Sequence, residues 1–176
     1  GQPTIDADGD DADVGSPVYG ACAHGSDEDG VAFTSPLLRG RTADIVVVAN
    51  EACTLSAWID FDDDGDWADA IDELFPGGQP LVAGANPLTF TVPSNVEGGF
   101  TYARFRCTTE GPVEPTGDAS DGEVEDYSVR VIAEMDLGDA PDPPYRTLTD
   151  VEGGGAYHYL GSDVYLGSCV DAEGDG

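Results

Sequence analysis

Between Val31 and Ile132 the apolar residues recur with period two, the signature of strands with one buried face. From Cys53 the inward set reads Cys53, Leu55, Ala57, Ile59 and Phe61, while the other face carries Thr54, Ser56, Trp58, Asp60 and Asp62. Leu88, Phe90 and Val92 alternate with Thr89 and Thr91, and Ala103, Phe105 and Cys107 alternate with Tyr102, Arg104 and Arg106. Thr42 to Asn50 and Val124 to Ile132 share this β-branched character, and Val31 to Phe33 suits a short edge strand. Roughly seven strands in ~100 residues, punctuated by Gly, Pro and Asn, predict an all-β fold, an antiparallel β-sandwich of immunoglobulin-like size. The 24 glycines and 12 prolines argue against long helices.

The flanks break the pattern, which divides the chain into three. Residues 1–30 have few apolar positions and read as an acidic inter-repeat linker; 31–133 form the sandwich; 134–176, rich in Gly, Pro and Tyr, read as the start of a next repeat or a docking segment. The ends echo each other, Asp171-Ala172-Glu173-Gly174-Asp175 matching Asp6-Ala7-Asp8-Gly9-Asp10. Such an echo is expected of one period cut from a tandem array. With no starting methionine, basic n-region or apolar h-region, the segment is expected to be a mature or excised fragment whose targeting signal lies outside it.

Charge narrows the partners. Against 36 acidic residues stand six basic ones, all arginine, giving −30 with both histidines neutral. A polyanion without lysine offers no basic patch for nucleic acid or an anionic membrane surface. No apolar run approaches the ~20 residues of a membrane helix, so membrane insertion is not expected. Hydrophobic residues at 40% still suffice for a core. Four cysteines without a CxxC pair point to disulfides and an oxidising, extracellular compartment. Cys53 and Cys107 fall on inward faces, which suits a bridge across the core; the alternative is two buried thiols. Cys22 and Cys169 lie in the flanks, and pairing with each other or with the equivalent cysteine of a neighbouring copy stays open.

The carboxylates are grouped. Asp60, Asp62 and Asp64 occupy relative positions one, three and five of a loop with Gly65 at six and Asp66 at seven, the spacing by which an EF-hand-like loop wraps oxygens around calcium. Position twelve is Ile71, so a regular EF-hand fails and Glu73 is the available substitute. Further candidate calcium ligands are Asp6, Asp8 and Asp10; Asp27 and Asp29; Asp121, Glu123, Glu125 and Asp126; Asp136 and Asp139; and Asp171, Glu173 and Asp175. Each Ca²⁺ removes two charges from a chain that repels itself. With ~1 mM calcium and a ~0.1 mM site, one ion stabilises by RT ln 11, roughly 1.4 kcal/mol. A halophilic surface is the competing explanation, but it predicts dispersed carboxylates rather than clusters with glycine.

The motifs DGEVEDY at Asp121 to Tyr127, WIDFDDDGDW at Trp58 to Trp67 and YARFR at Tyr102 to Arg106 together resemble the GEVED-domain family, modules of large secreted and surface proteins of bacteria. DEDGVAFTSPL at Asp27 to Leu37 looks like the family's entry segment, and DLGDAPD at Asp136 to Asp142 like the start of the next repeat. The resemblance implies a β-sandwich in multi-repeat, adhesin-like proteins, with calcium. Carried over, Asp60, Asp62, Asp64, Asp66 and Glu73 match the acidic loop and Glu123, Glu125 and Asp126 the naming motif, although the family usually has asparagine near Asp62.

Two functions follow as expectations. The first is an extracellular, calcium-stabilised structural repeat that builds an adhesin, stalk or fibre, its partners being neighbouring copies of itself and its docking residues Tyr145, Tyr157, Tyr159 and Tyr165. The alternative is a calcium-dependent module binding surface glycans or another ligand, with Trp58 or Trp67 as the stacking platform. Catalysis is not expected: His24 and His158 lie far apart, no GxSxG or metalloprotease motif occurs, and among 36 acids some pair always looks suitable for a glycosidase.

Overall fold

The structure, a computed structural model, describes residues 29–133, 135–138, 140–141, 144–145, 156–160, 164 and 166–169. The chain divides into two units, 1–131 and 132–176. In the first, the β-branched alternating runs become β1 (Val31–Phe33), β2 (Leu37–Leu38), β3 (Thr42–Ala49), β4 (Cys53–Ile59), β5 (Gln79–Leu81), β6 (Gly84–Thr91), β7 (Gly99–Thr108) and β8 (Glu123–Ile132, ending one residue into the second unit). Among the described residues of the second unit, β9 (Met135–Leu137) pairs antiparallel with β10 (Tyr157–Tyr159). No described residue is helical, so among the described residues no helix is long and apolar enough to cross a membrane.

Strands β1-β3-β6 form one sheet and β2-β8-β7-β4-β5 the other. The chain leaves the first sheet after β1 and enters the second at β2, the connection passing through Ser35 and Pro36. This order makes an immunoglobulin-like β-sandwich. Its core is the inward set the alternation predicts: Ile45, Val47 and Phe90 from one sheet, Leu55, Ala57, Ile59, Ala103, Phe105, Val129 and Val131 from the other. Phe33, Phe105 and Tyr127 close one end as three edge-to-face rings with centroids 5.7 to 6.2 Å apart.

Cys53 and Cys107 form a disulfide, but not across the core. Alternation tells which face a cysteine is on, not which sheet its strand joins, and β4 and β7 are neighbours in the same sheet. Cys107 sits opposite Leu55, which leaves Cys53 one diagonal step away with a Cα–Cα distance of 5.9 Å. The bridge spans 54 residues of sequence, for which the chain-entropy account gives about 4 kcal/mol. Replacing both cysteines with alanine is therefore expected to lower unfolding stability by about 3 to 4 kcal/mol. Denaturant titration of the oxidised protein beside the double variant tests this, and a difference under 1 kcal/mol would contradict it.

Trp58 differs from expectation too. It faces outward by alternation yet is only 4% exposed. The segment after β7 returns across this face. There Val113 N–H donates to Ser56 Oγ, Arg104 donates to the Pro115 carbonyl, and Arg106 donates to the carbonyls of Glu114, Thr116 and Gly117. With so little of its ring exposed, Trp58 offers no platform for a sugar.

Candidate metal centre

The acidic loop leaves the end of β4 and is shaped by its own carboxylates. Asp60 accepts from the Asp64 N–H on Oδ1 (3.2 Å) and the Gly65 N–H on Oδ2 (3.1 Å); Asp64 accepts from Asp66 N–H, and Asp66 from Ala68 N–H. These side-chain turns, with left-handed backbone at Asp63 (φ 56°) and Gly65 (φ 91°), curl the loop back over its start. The start is pinned to β7: Asp60 N–H donates to the Tyr102 carbonyl, and Thr101 Oγ1 donates to the Asp60 carbonyl at 2.7 Å. Trp67 Nε1 reaches the same Tyr102 carbonyl, and the Arg104 guanidinium lies 4.3 Å from the Trp67 ring centroid.

The loop does not continue into a helix. It returns as an edge alongside β4, with Ile59 N–H donating to the Asp72 carbonyl, a bridge between Trp58 and Glu73, and Leu74 N–H donating to the Ala57 carbonyl. This return carries the Asp72 carboxylate under the loop. There Oδ1 accepts from the Phe61 N–H at 2.9 Å, while Oδ2 is buried without a hydrogen-bond partner in a side chain 0% exposed. Burial, with the charges of Asp62, Asp60 and Asp69 adding to it, pushes the Asp72 carboxyl up to about 6 from 3.8. Asp60 is pushed up as well, chiefly by burial and against the pull of the backbone N–H groups it accepts from.

Among the described residues two carboxylate groups form, Asp60–Asp62–Asp72 and Asp62–Asp64–Asp69, each placing three oxygens within 4.8 Å of one another. Two oxygens bound to one ion at ~2.4 Å can be no further apart than that. An all-oxygen donor set without His or Cys suits a hard cation such as Ca²⁺ rather than zinc or copper. The buried, unsatisfied oxygen of Asp72 is the feature a merely solvated acidic loop lacks.

Of the loop residues singled out from spacing, the structure brings together Asp60, Asp62 and Asp64. Asp66 caps Ala68 N–H instead, and Glu73 lies on the returning edge; neither is in a group. Asp69 and Asp72 complete the groups, and the EF-hand template missed them because it assumes a following helix.

The acids of the DGEVED motif do not converge, since consecutive strand residues point to opposite faces. Glu125 turns inward and is 8% exposed; it accepts from Gly30 N–H on Oε1 (3.0 Å) and from the Tyr127 hydroxyl on Oε2 (2.9 Å), tying the entry of β1 to β8. Tyr127 in turn accepts from Val31 N–H. Burial raises the Glu125 carboxyl, opposed by the Tyr127 hydroxyl and the Gly30 and Asp29 N–H groups. A Cβ at Gly30 would stand 2.9 Å from both Glu125 oxygens, so a side chain there would make the Glu125 carboxylate shift. Asp126 turns outward into a two-pronged ion pair with Arg104, at 2.7 and 2.6 Å. Asp121 accepts from the hydroxyls of Thr108 and Thr109 and from Thr109 N–H, which lower its carboxyl. Glu123 is exposed at the start of β8.

Asp29 is exposed and Asp136 half-buried on β9; neither joins a group. Cys169 is an exposed free thiol and Tyr145 is exposed. Asp6, Asp8, Asp10, Asp27, Asp139, Asp171, Glu173, Asp175, Cys22 and Tyr165 lie outside the described residues.

The fold and the loop thus define a disulfide-bonded, immunoglobulin-like β-sandwich module with an acidic loop between neighbouring strands. Residues 54–130 match the family model of the GEVED domain, and the sandwich is a member of that family. A search of the curated proteins finds no match. Among solved structures, a family 123 glycoside hydrolase from Clostridium perfringens, described for glycolipid glycan hydrolysis, aligns at 11% identity with a TM-score of 0.31. That alignment covers 55% of this chain and 22% of the enzyme, a likeness too faint to bear on activity.

Proposed function

We propose that this chain is an extracellular structural repeat, stabilised by calcium held at Asp60, Asp62 and Asp72, that builds a surface adhesin, stalk or fibre from neighbouring copies. The observation that carries the calcium reading is Asp72 Oδ2, buried and unpartnered beside two other carboxylates. Leaving such an oxygen unsatisfied costs about 1 to 3 kcal/mol or more, and a divalent cation would satisfy it together with Asp60 and Asp62. The disulfide supports an oxidising compartment, and membership of the family supports the repeat. The ligand-binding reading is weakened by the burial of Trp58 and by the Arg104 guanidinium over Trp67.

The test is thermal unfolding with and without calcium. One millimolar calcium is expected to raise the Tm by roughly 5 °C over chelator, with magnesium and sodium at matched ionic strength far less effective. Asp72→Asn is expected to abolish this shift while raising the metal-free Tm, because it removes a buried charge. Equal shifts in wild type and Asp72→Asn would remove the site; rescue by molar salt alone would favour the halophilic explanation.

A further inference from the structure

We propose that the sandwich docks head to tail on a second copy of this chain, the end that carries its exposed arginines and Phe100 meeting the acidic end of the neighbour. The inference rests on the reading above that neighbouring copies build the assembly, and it names the contact between them.

The register of the ladders sorts the loops into two ends. Thr42 lies opposite Thr91 and Gly99 opposite Val131, so the β2–β3 turn, the β6–β7 loop, the start of β7 and the end of β8 share one end. Val31 lies opposite Val47, Ala49 opposite Gly84, Thr54 opposite Thr108 and Cys107 opposite Glu123. The entry of β1, the β3–β4 and β5–β6 turns and the start of β8 therefore share the other.

Exposed charge is divided between these ends. Arg39, Arg41 and Arg130 are all exposed at the first. Arg39 Nη1 donates to the Val96 carbonyl, and the Arg130 guanidinium lies 5.8 Å from the Phe100 ring centroid, directly across the β7–β8 ladder. Phe100 is itself 73% exposed, a large apolar ring presented to solvent beside a cation. The other two described arginines are engaged within the sheet, Arg104 by Asp126 and Arg106 by backbone carbonyls. The Asp60 loop shares the first end but leaves from β4, beyond β7 from the arginines at β2 and β8. At the second end Asp29, Glu51, Glu110 and Glu123 are exposed together with the apolar Val82 and Val124, and no described basic residue is exposed there.

A chain at −30 repels its copies except where opposite charges meet, and at physiological salt that attraction reaches only about 8 Å, so the two ends must touch to profit from it. Phe100 and Arg130 are of the residue types that anchor interfaces, and the valines of the acidic end give the ring an apolar seat. The two patches are different surfaces of one molecule. Such a contact is heterologous and continues from copy to copy instead of closing on a dimer, which is what a stalk or fibre requires.

The experiment measures self-association of the full chain by analytical ultracentrifugation from about 10 µM to 1 mM, in millimolar calcium and physiological salt. The exposed thiol of Cys169 is capped with iodoacetamide so that it links no copies. One variant carries Arg39→Glu, Arg41→Glu and Arg130→Glu, the other Glu51→Arg, Glu110→Arg and Glu123→Arg. Each alone is expected to associate at least about tenfold more weakly than wild type, and an equimolar mixture to recover, since each supplies the end the other lacks. The second variant moves the chain from −30 to −24, so general repulsion alone would make it associate more strongly than wild type; that result overturns the proposal. Loss in the arginine variant only would mean that arginine ends meet each other, and head-to-tail docking falls. If both variants associate as wild type does, the docking is overturned and assembly through another contact stands. A wild type that stays monomeric throughout removes both the docking and the assembly of copies. All six positions are exposed, so both variants are expected to keep the wild-type circular dichroism spectrum. Phe100→Ser, a single exposed change, is expected to show the same loss and decides the matter even if a triple variant is unstable.

Discussion

Replacing Gly122 with alanine is expected to leave little folded protein, a loss of at least about 4 kcal/mol. Gly122 has φ 96°, where an L side chain is strained by roughly 1 to 2 kcal/mol before it meets anything. Its Cβ would then stand 1.7 Å from the Cys107 carbonyl oxygen, 2.8 Å from that carbonyl carbon and 3.1 Å from Thr108 Cα. These are backbone atoms and no rotamer change removes them. Nor can β7 withdraw, because Cys107 is tied to Cys53 and pairs with Glu123 across the β7–β8 ladder. Gly117 is the control: its φ is 90° but nothing lies within 4 Å, so Gly117→Ala should cost only the backbone strain. Urea unfolding of the two variants distinguishes a steric requirement from a conformational one. Equal, small losses would mean that β7 and β8 separate at this point more easily than the disulfide suggests.

The same residue shows what the family's naming motif is for. Gly122 lets β8 approach Cys107, Glu125 clamps the backbone at Gly30, and Asp126 holds Arg104 against Trp67 at the base of the acidic loop. The motif therefore supports the loop through Arg104 and Trp67 rather than adding ligands to it. Alternation already carried this information, since Glu125 and Asp126 must point to opposite faces.

Strands long enough to show a period, β3, β4, β6, β7 and β8, were legible along the chain. β2 and β5, of two and three residues, are too short to show one and exist because a longer neighbour offers its edge. What alternation could not supply was the partner of each strand. That is why the disulfide falls within a sheet rather than across the core, and why the outward face of β4 is met at Ser56 by a segment more than fifty residues away in sequence. Spacing revealed Asp60, Asp62 and Asp64 because the turn geometry of that stretch is local. Asp69 and Asp72 depend on the loop returning along β4, a long-range event with no signature in the spacing.

The second large effect concerns pH, and its sign reverses with calcium. In the metal-free protein the Asp72 carboxyl stands at about 6, against 3.8 unfolded. The folded state then binds more protons between these values, so stability is present at low pH and is lost as pH rises from about 4 through 6. The gap is worth roughly 3 kcal/mol, less what solvent at the open rim of the loop screens. Asp60 and Glu125, both raised by burial, act in the same direction. Asp121, lowered by its threonine partners, acts in the opposite direction, losing its contribution only as pH falls below the ordinary aspartate range. The metal-free protein is therefore expected to melt higher at pH 4.5 than at pH 7.5. Relief of the chain's general repulsion would give the same sign, so Asp72→Asn is the discriminating variant: it should flatten most of the slope between pH 4 and 6 without altering the chain's other carboxylates. Saturating calcium should invert the wild-type slope, since the ion binds only the ionised carboxylates and protons displace it as pH falls. A metal-free melting temperature that rises from pH 4.5 to 7.5, or a slope indifferent to Asp72→Asn, would mean that Asp72 is not the strained buried acid its surroundings describe.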